Sequence, residues 1–175
     1  PKATCITAGP LYNMEFRYQQ HQAMLNAVEK IKAADKAFGE TFGRSYGGVV
    51  EAYKCDDAEA ILITLGSVAG TTRCVVDEMR EQGKKVGLLK IRCMRPFPAK
   101  EIVEIVKNAK FVGVLEKDVS FGFEGVVYTD VSSALKSAGV EIPAANYVGG
   151  LGDRSIYKTD IEKIYEELLA GTAKV

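Results

Sequence analysis

The spacing of apolar and polar residues changes character once along this chain. From Met14 to Phe42, the residues Met14, Tyr18, His21, Leu25, Val28, Ile31, Phe38 and Phe42 recur mostly three or four apart, with no proline among them. That spacing lays a stripe along one side of an α-helix. It predicts one long amphipathic helix with a point of interruption at Gly39. No strand precedes it, so the stripe needs cover from the domain that follows or from another chain. His21, between Tyr18 and Leu25, is read as a packed, hydrogen-bonded histidine.

After Gly43, Gly47 and Gly48 the pattern becomes short apolar runs alternating with helical periodicity. The runs Val49 to Lys54, Ala60 to Leu65, Val86 to Ile91, Phe111 to Leu115 and, more weakly, Ala144 to Val148 are expected strands. Between them, Val68, Val75, Val76 and Met79 mark a helix stopped by Gly83, and Pro98 suits the first position of a helix carrying Ile102, Ile105, Val106 and Ala109. Val127, Val131, Leu135 and Ala138 give a further helix ended by Gly139. Thr159 with Glu162 forms a capping box before a last helix bearing Ile161, Ile164, Tyr165, Leu168 and Leu169. The linker from strand one to strand two, around Asp56 and Asp57, is too short for a parallel crossover, which takes about a dozen residues. Strand one therefore runs antiparallel to strand two, and Glu51 and Lys54 mark it as an edge. The expected fold is an α/β, three-layer α/β/α sandwich around a five-stranded, mostly parallel sheet with an antiparallel first strand, preceded by a long N-terminal helix. Residues 1–45 are assigned to a linker and helix and residues 46–175 to the α/β domain.

Composition narrows the role without naming it. The 175 residues suit one core, and 23 basic residues interspersed with 23 acidic ones leave no field of one sign for nucleic acid or an anionic membrane, so protein partners are expected. No apolar run reaches the roughly 20 residues of a membrane span, and the expected location is the cytoplasm. Pro1 stands where an initiator Met would, which suggests a piece of something longer. Cys5, Cys55, Cys74 and Cys93 are widely scattered, without the spacing of a metal or cluster site, and are read as reduced and mostly buried.

Candidate chemistry lies at strand ends. Ser67, Thr71 and Thr72, between strand two and its helix, either hold an anion on free backbone N–H groups or simply form a capped turn. Arg92 and Arg95 follow strand three at the edge where open α/β sheets bind ligands, and either clamp a carboxylate or phosphate or pair with a neighbouring domain. Asp56, Asp57, Glu116 and Asp118 are read as solvated carboxylates. Glycines crowd around Phe121, Gly122 and Phe123 and again from Gly149 through Gly150 to Arg154. Two phenylalanines flanking a glycine are costly to expose in a monomer, so Phe121, Gly122, Phe123, Gly150 and Arg154 are interface candidates.

Read in order, GRSYGGVVEAYKCDDAEAILITLGSVAGTTRCVVDEMREQGKKVGLLKIRCMRPFP, VGVLEKDVSFGFEG and GGLGDR closely resemble the second domain of pyruvate:ferredoxin oxidoreductase α subunits. The resemblance covers nearly the whole chain and is most specific from Gly66 to Pro98; it departs at Gly152-Asp153-Arg154-Ser155, where relatives often read Gly-Gly-Arg-Asp. It implies a fold similar to the C-terminal domain of transketolase. It also implies a part in the conversion of pyruvate and coenzyme A to acetyl-CoA and CO2 with reduction of ferredoxin. Thiamine diphosphate, magnesium and iron–sulfur clusters would belong to the complete enzyme. This chain has no Gly-Asp-Gly motif for thiamine diphosphate and no set of cluster cysteines, so no cofactor and no catalytic residue is assigned to it. The expected role is structural and at a subunit interface, with the isolated domain inactive. The alternative is an independent phosphate or coenzyme A binding module using Ser67, Thr71, Arg92 and Arg95.

Overall fold

Apolar periodicity switching from helical to strand-like builds the elements below; in the computed structural model, residues 9–174 are described. Helix α1, Pro10–Phe42, starts with its proline in the first turn and ends where Gly43 takes the left-handed conformation and returns its N–H to the carbonyl of Gly39 at 2.8 Å. Gly39 does not interrupt it: one glycine costs a helix only about 1 kcal/mol, and this one lies in the final turn that Gly43 closes. Thirty-three residues give a rod about 50 Å long.

Strands β1, Val50–Tyr53; β2, Ala60–Leu65; β3, Val86–Ile91; β4, Phe111–Glu116; and β5, Ala144–Val148 form one sheet in the order β1-β3-β2-β4-β5. All neighbours are parallel except β1 and β3. β1 thus opposes β2 in direction, as expected, yet it skips β2 and pairs with β3. Its edge position is managed by charge: Glu51 meets Arg73 at 2.5 Å, and Lys54 and the Tyr53 hydroxyl both reach Asp77.

Helices α2, Val68–Glu81, and α5, Lys158–Ala170, cover one face, and α3, Ala99–Val106, and α4, Val126–Ser137, cover the other. Alternation along β2 feeds both layers, with Ile61 and Ile63 packing toward α3 and α4 while Ala60 and Leu62 pack toward α2 and α5. The chain leaves β2 through α2 in one direction and returns past β2 through α3 in the other. Keeping both crossovers right-handed puts those two helices on opposite faces.

Local expectations shift in four places. Pro98 is the N-cap of α3 rather than its first residue. The last helix is capped two residues earlier than the Thr159 and Glu162 pair would place it; Tyr157 is its N-cap, and the Asp160 carboxylate accepts the Tyr157 N–H at 2.9 Å. His21 is exposed rather than packed, because α1 meets the domain only near its C-terminal end. Of the cysteines, Cys55 is buried, Cys93 partly buried and Cys74 exposed on α2, and Cys5 lies outside the described residues.

Candidate functional site

The C-terminal ends of β2 to β5 share one edge of the sheet, and the direction of chain progression reverses between β2 and β4. Such a reversal spreads the following loops apart and leaves a crevice. Here it is a cavity of about 380 Å3, walled by Val68, Met94, Leu115 and Ile156 and bordered by Ser67, Glu116 and Lys117. Thr64, buried at its base, donates its hydroxyl to the Leu115 carbonyl at 2.8 Å and so satisfies itself across the two strands.

Of the anion candidates, only Ser67 lines this cavity. It is the N-cap of α2 and makes no side-chain capping bond. Thr71 is partly exposed, and buried Thr72 gives its hydroxyl back to the Val68 carbonyl at 2.9 Å. The two arginines diverge. Arg92 reaches the Gly48 carbonyl at 3.0 Å and Asp35 of α1 at 3.4 Å and stacks over Tyr46. Arg95 meets Asp130 of α4 at 2.7 Å over the ring of Phe97. Each guanidinium therefore has a carboxylate from this chain, and each fastens a helix to the sheet's loops.

Glu116 is not solvated. It ends β4, is 2% exposed, and accepts three bonds: from the N–H of Val127 at 2.7 Å, the N–H of Tyr128 at 3.1 Å, and the Asn146 side-chain amide at 2.8 Å. The first two are unpaired donors at the start of α4, whose N-cap is Gly125 and has no side chain to satisfy them. Gly125 is required by space, since a Cβ there would lie 1.8 Å from the Glu116 carboxylate. A signal for this existed in the sequence: an apolar strand ending in Glu, then a helix preceded by Gly instead of Ser, Thr, Asp or Asn. By contrast Asp118 is exposed and Asp57 pairs with Arg80 at 2.7 Å, which lowers its pKa.

The interface candidates sit on the same edge. Phe121 is 98% and Phe123 68% exposed, around Gly122 at φ 84°. Gly150, at φ 74°, opens a short 3-10 turn, Leu151–Asp153, and exposed Arg154 follows it. Neither loop carries a metal set: among the described residues no three of His, Cys, Asp and Glu converge closely enough to share an ion. Cys55, Cys74 and Cys93 lie on separate parts of the fold, so the described cysteines do not form the set an iron–sulfur cluster takes.

Comparison with known proteins gives this architecture relatives. The family model for pyruvate:ferredoxin oxidoreductase core domain II matches residues 58–161. Pyruvate synthase subunit PorA of Methanosarcina barkeri is 43% identical over 95% of this chain and 42% of its own length. PorA of Methanothermobacter thermautotrophicus is 46% identical over 89% of this chain and 39% of its own. Ketoisovalerate oxidoreductase subunit VorA of Pyrococcus horikoshii is 38% identical over 96% and 43%. The chain thus spans about two fifths of the length of the curated relatives it matches. Among solved structures, 2-oxoglutarate:ferredoxin oxidoreductase from Magnetococcus marinus superposes with a TM-score of 0.58 at 18% identity, over 97% of this chain and 25% of that one. A split-gene transketolase gives a TM-score of 0.54 at 12% identity, over 69% and 41%. These two likenesses concern the fold.

Proposed function

The chain belongs to the pyruvate:ferredoxin oxidoreductase core domain II family, and on that premise we propose that it is the structural and subunit-interface domain of the α subunit of a pyruvate:ferredoxin oxidoreductase. Identity of 43% over 95% of the chain to a pyruvate synthase subunit is the observation that carries this reading. Pyruvate is favoured as the 2-oxoacid because the two pyruvate synthase subunits, at 43% and 46%, stand above the ketoisovalerate relative at 38%. The whole enzyme, a cytoplasmic assembly on this reading, converts pyruvate and coenzyme A to acetyl-CoA and CO2 while reducing ferredoxin. Thiamine diphosphate supplies the carbanion chemistry there, with magnesium and iron–sulfur clusters, all held by other polypeptide.

This chain's own contribution is mechanical. The α/β domain of residues 46–175 forms a body, residues 1–45 link it to what it serves, and the loops bearing Phe121, Gly122, Phe123, Gly150 and Arg154 meet neighbouring subunits. The pairing of Arg92 with Asp35 and of Arg95 with Asp130 supports scaffolding over an independent phosphate or coenzyme A module, whose guanidiniums would be needed for the ligand. The test is reconstitution of the enzyme with Phe121→Ser/Phe123→Ser in this domain. Because both rings are exposed, the domain should unfold at an unchanged urea midpoint. Size-exclusion chromatography should show subunits lost from the assembly and pyruvate oxidation falling with them. Full assembly and turnover from the double variant would sink the proposal, as would pyruvate oxidation by this chain alone.

A further inference from the structure

Two loops flank the end of β4: residues 117–125, which lead into α4, and residues 149–157, which follow β5. Both are tied to Glu116. Its carboxylate takes the Val127 and Tyr128 N–H groups, which fixes where the first loop enters α4. Its main-chain carbonyl takes the Gly149 N–H at 3.0 Å, which fixes where the second loop leaves β5. Asn146 of β5 joins the two, giving its amide to the carboxylate at 2.8 Å and accepting the Gly125 N–H at 2.9 Å. Packing adds a further tie, since a Cβ on Gly150 would stand 2.9 Å from Lys117 Cε. The tip of the first loop is itself closed, by Phe123 N–H to Ser120 O at 2.7 Å and Ser120 N–H to Glu124 O at 3.0 Å.

We infer that Glu116 is a positioning residue for the surface these loops form: its buried carboxylate holds the first loop directly and reaches the second through Asn146 of β5, beside the bond from Gly149 to its main-chain carbonyl, so that Phe121, Phe123 and Arg154 are presented to a partner polypeptide as a single unit. The partner rests on the interface reading above; the coupling rests on geometry. Only a carboxylate satisfies the site. Three donors converge on its two oxygens, whereas glutamine offers one oxygen and one NH2, so either orientation of its amide sets a donor against a donor. Turning Asn146 over to compensate would aim its NH2 at the Gly125 N–H. At 2% exposure Glu116 is buried, where a donor set against a donor is costly.

Amide hydrogen exchange of the purified chain reads the coupling directly. In Glu116→Gln the Val127, Tyr128 and Gly149 amides should all exchange at least about tenfold faster, while the central β2 amides stay within about twofold. An unchanged Gly149 would show the loops to be independent and overturn the inference. So would an equal acceleration everywhere, which would mark Glu116 as merely structural. Gly125→Ala is the second variant, because its φ of −67° and ψ of 149° suit alanine and its fault is the clash with Glu116. It should reproduce the exchange pattern in the native background and be nearly silent beside Glu116→Ala; equal effects in both backgrounds overturn the inference. In the assembled enzyme, Glu116→Gln should release subunits as Phe121→Ser/Phe123→Ser does. Normal assembly with Glu116→Gln alongside a defective phenylalanine variant sinks the positioning role, whereas normal assembly with both sinks the interface reading and leaves the exchange result standing.

Discussion

Cys55 illustrates how one side chain records the packing around it. Its thiol sits under the β1–β2 linker, donating toward the Leu88 carbonyl at 3.2 Å, and burial pushes its pKa from 9.0 up to about 11. Because the folded value is raised, the folded chain keeps a proton that the unfolded chain releases. The resulting stability is complete below about pH 9 and is lost as pH climbs through about 11. A rise of that size is worth about 2.7 kcal/mol. Urea unfolding at steps between pH 8.5 and 11 should show the decline, and Cys55→Ala should flatten it in the lower part of the range, before the buried tyrosines contribute. An unaltered slope in Cys55→Ala would refute the assignment. Glu116 is the residue whose surroundings were least legible: a Glu at a strand end reads as solvated, and only the position of α4 against β4 turns it into a cap.

At the level of elements, α1 depends on very few contacts. Leu11, Met14 and Tyr18 are 80%, 82% and 64% exposed, and the helix is held near its C-terminal end by Asp35 and by Lys32, which reaches Glu101 at 2.7 Å. Asp35 accepts the Ser45 hydroxyl at 2.5 Å and the Tyr46 N–H at 3.1 Å and faces Arg92. The Ser45 bond, helped by the Tyr46 N–H and Arg92, holds its carboxyl below the ordinary value of 3.8. A depressed folded pKa stabilises above the unfolded value and stops doing so as pH falls through the folded one. Below about pH 4 the helix should therefore loosen from the domain, and Asp35→Asn should loosen it already at pH 7. Limited proteolysis checks this: faster cleavage between residues 30 and 45 with an intact remainder is expected, and equal cleavage rates would contradict it. All five strand ranges were readable from periodicity to within one residue at each end, because an apolar run is local; the helical stripe gave the end of α1 at Phe42 but began at Met14, four residues after its start at Pro10. The partner of β1 was not readable, because a short linker fixes direction but leaves the chain free to step over one strand.

For the molecule as a whole, one sheet serves two apolar layers, so neither can fail alone. Leu62 is fully buried in the layer beneath α2 and α5, while its neighbours Ile61 and Ile63 belong to the other. Leu62→Ala should cost about 3 kcal/mol, and both faces should still unfold in one transition. Circular dichroism and tyrosine fluorescence monitored together through a urea titration would show it, and separated midpoints would refute a shared core. The amino-acid order alone was enough for the layer architecture, the reversed edge strand, the family resemblance and the glycine-rich loops at strand ends, since periodicity, linker length and motif strings are short-range properties. Where Arg92 and Arg95 spend their charge, that Glu116 is buried, that His21 is left in water and that a crevice opens between β2 and β4 depend on residues 10 to 60 positions apart coming within hydrogen-bonding reach. Such proximities are set by strand order and helix docking; of them only the Glu116 cap leaves a local trace, a strand ending in Glu ahead of a helix whose N-cap is Gly.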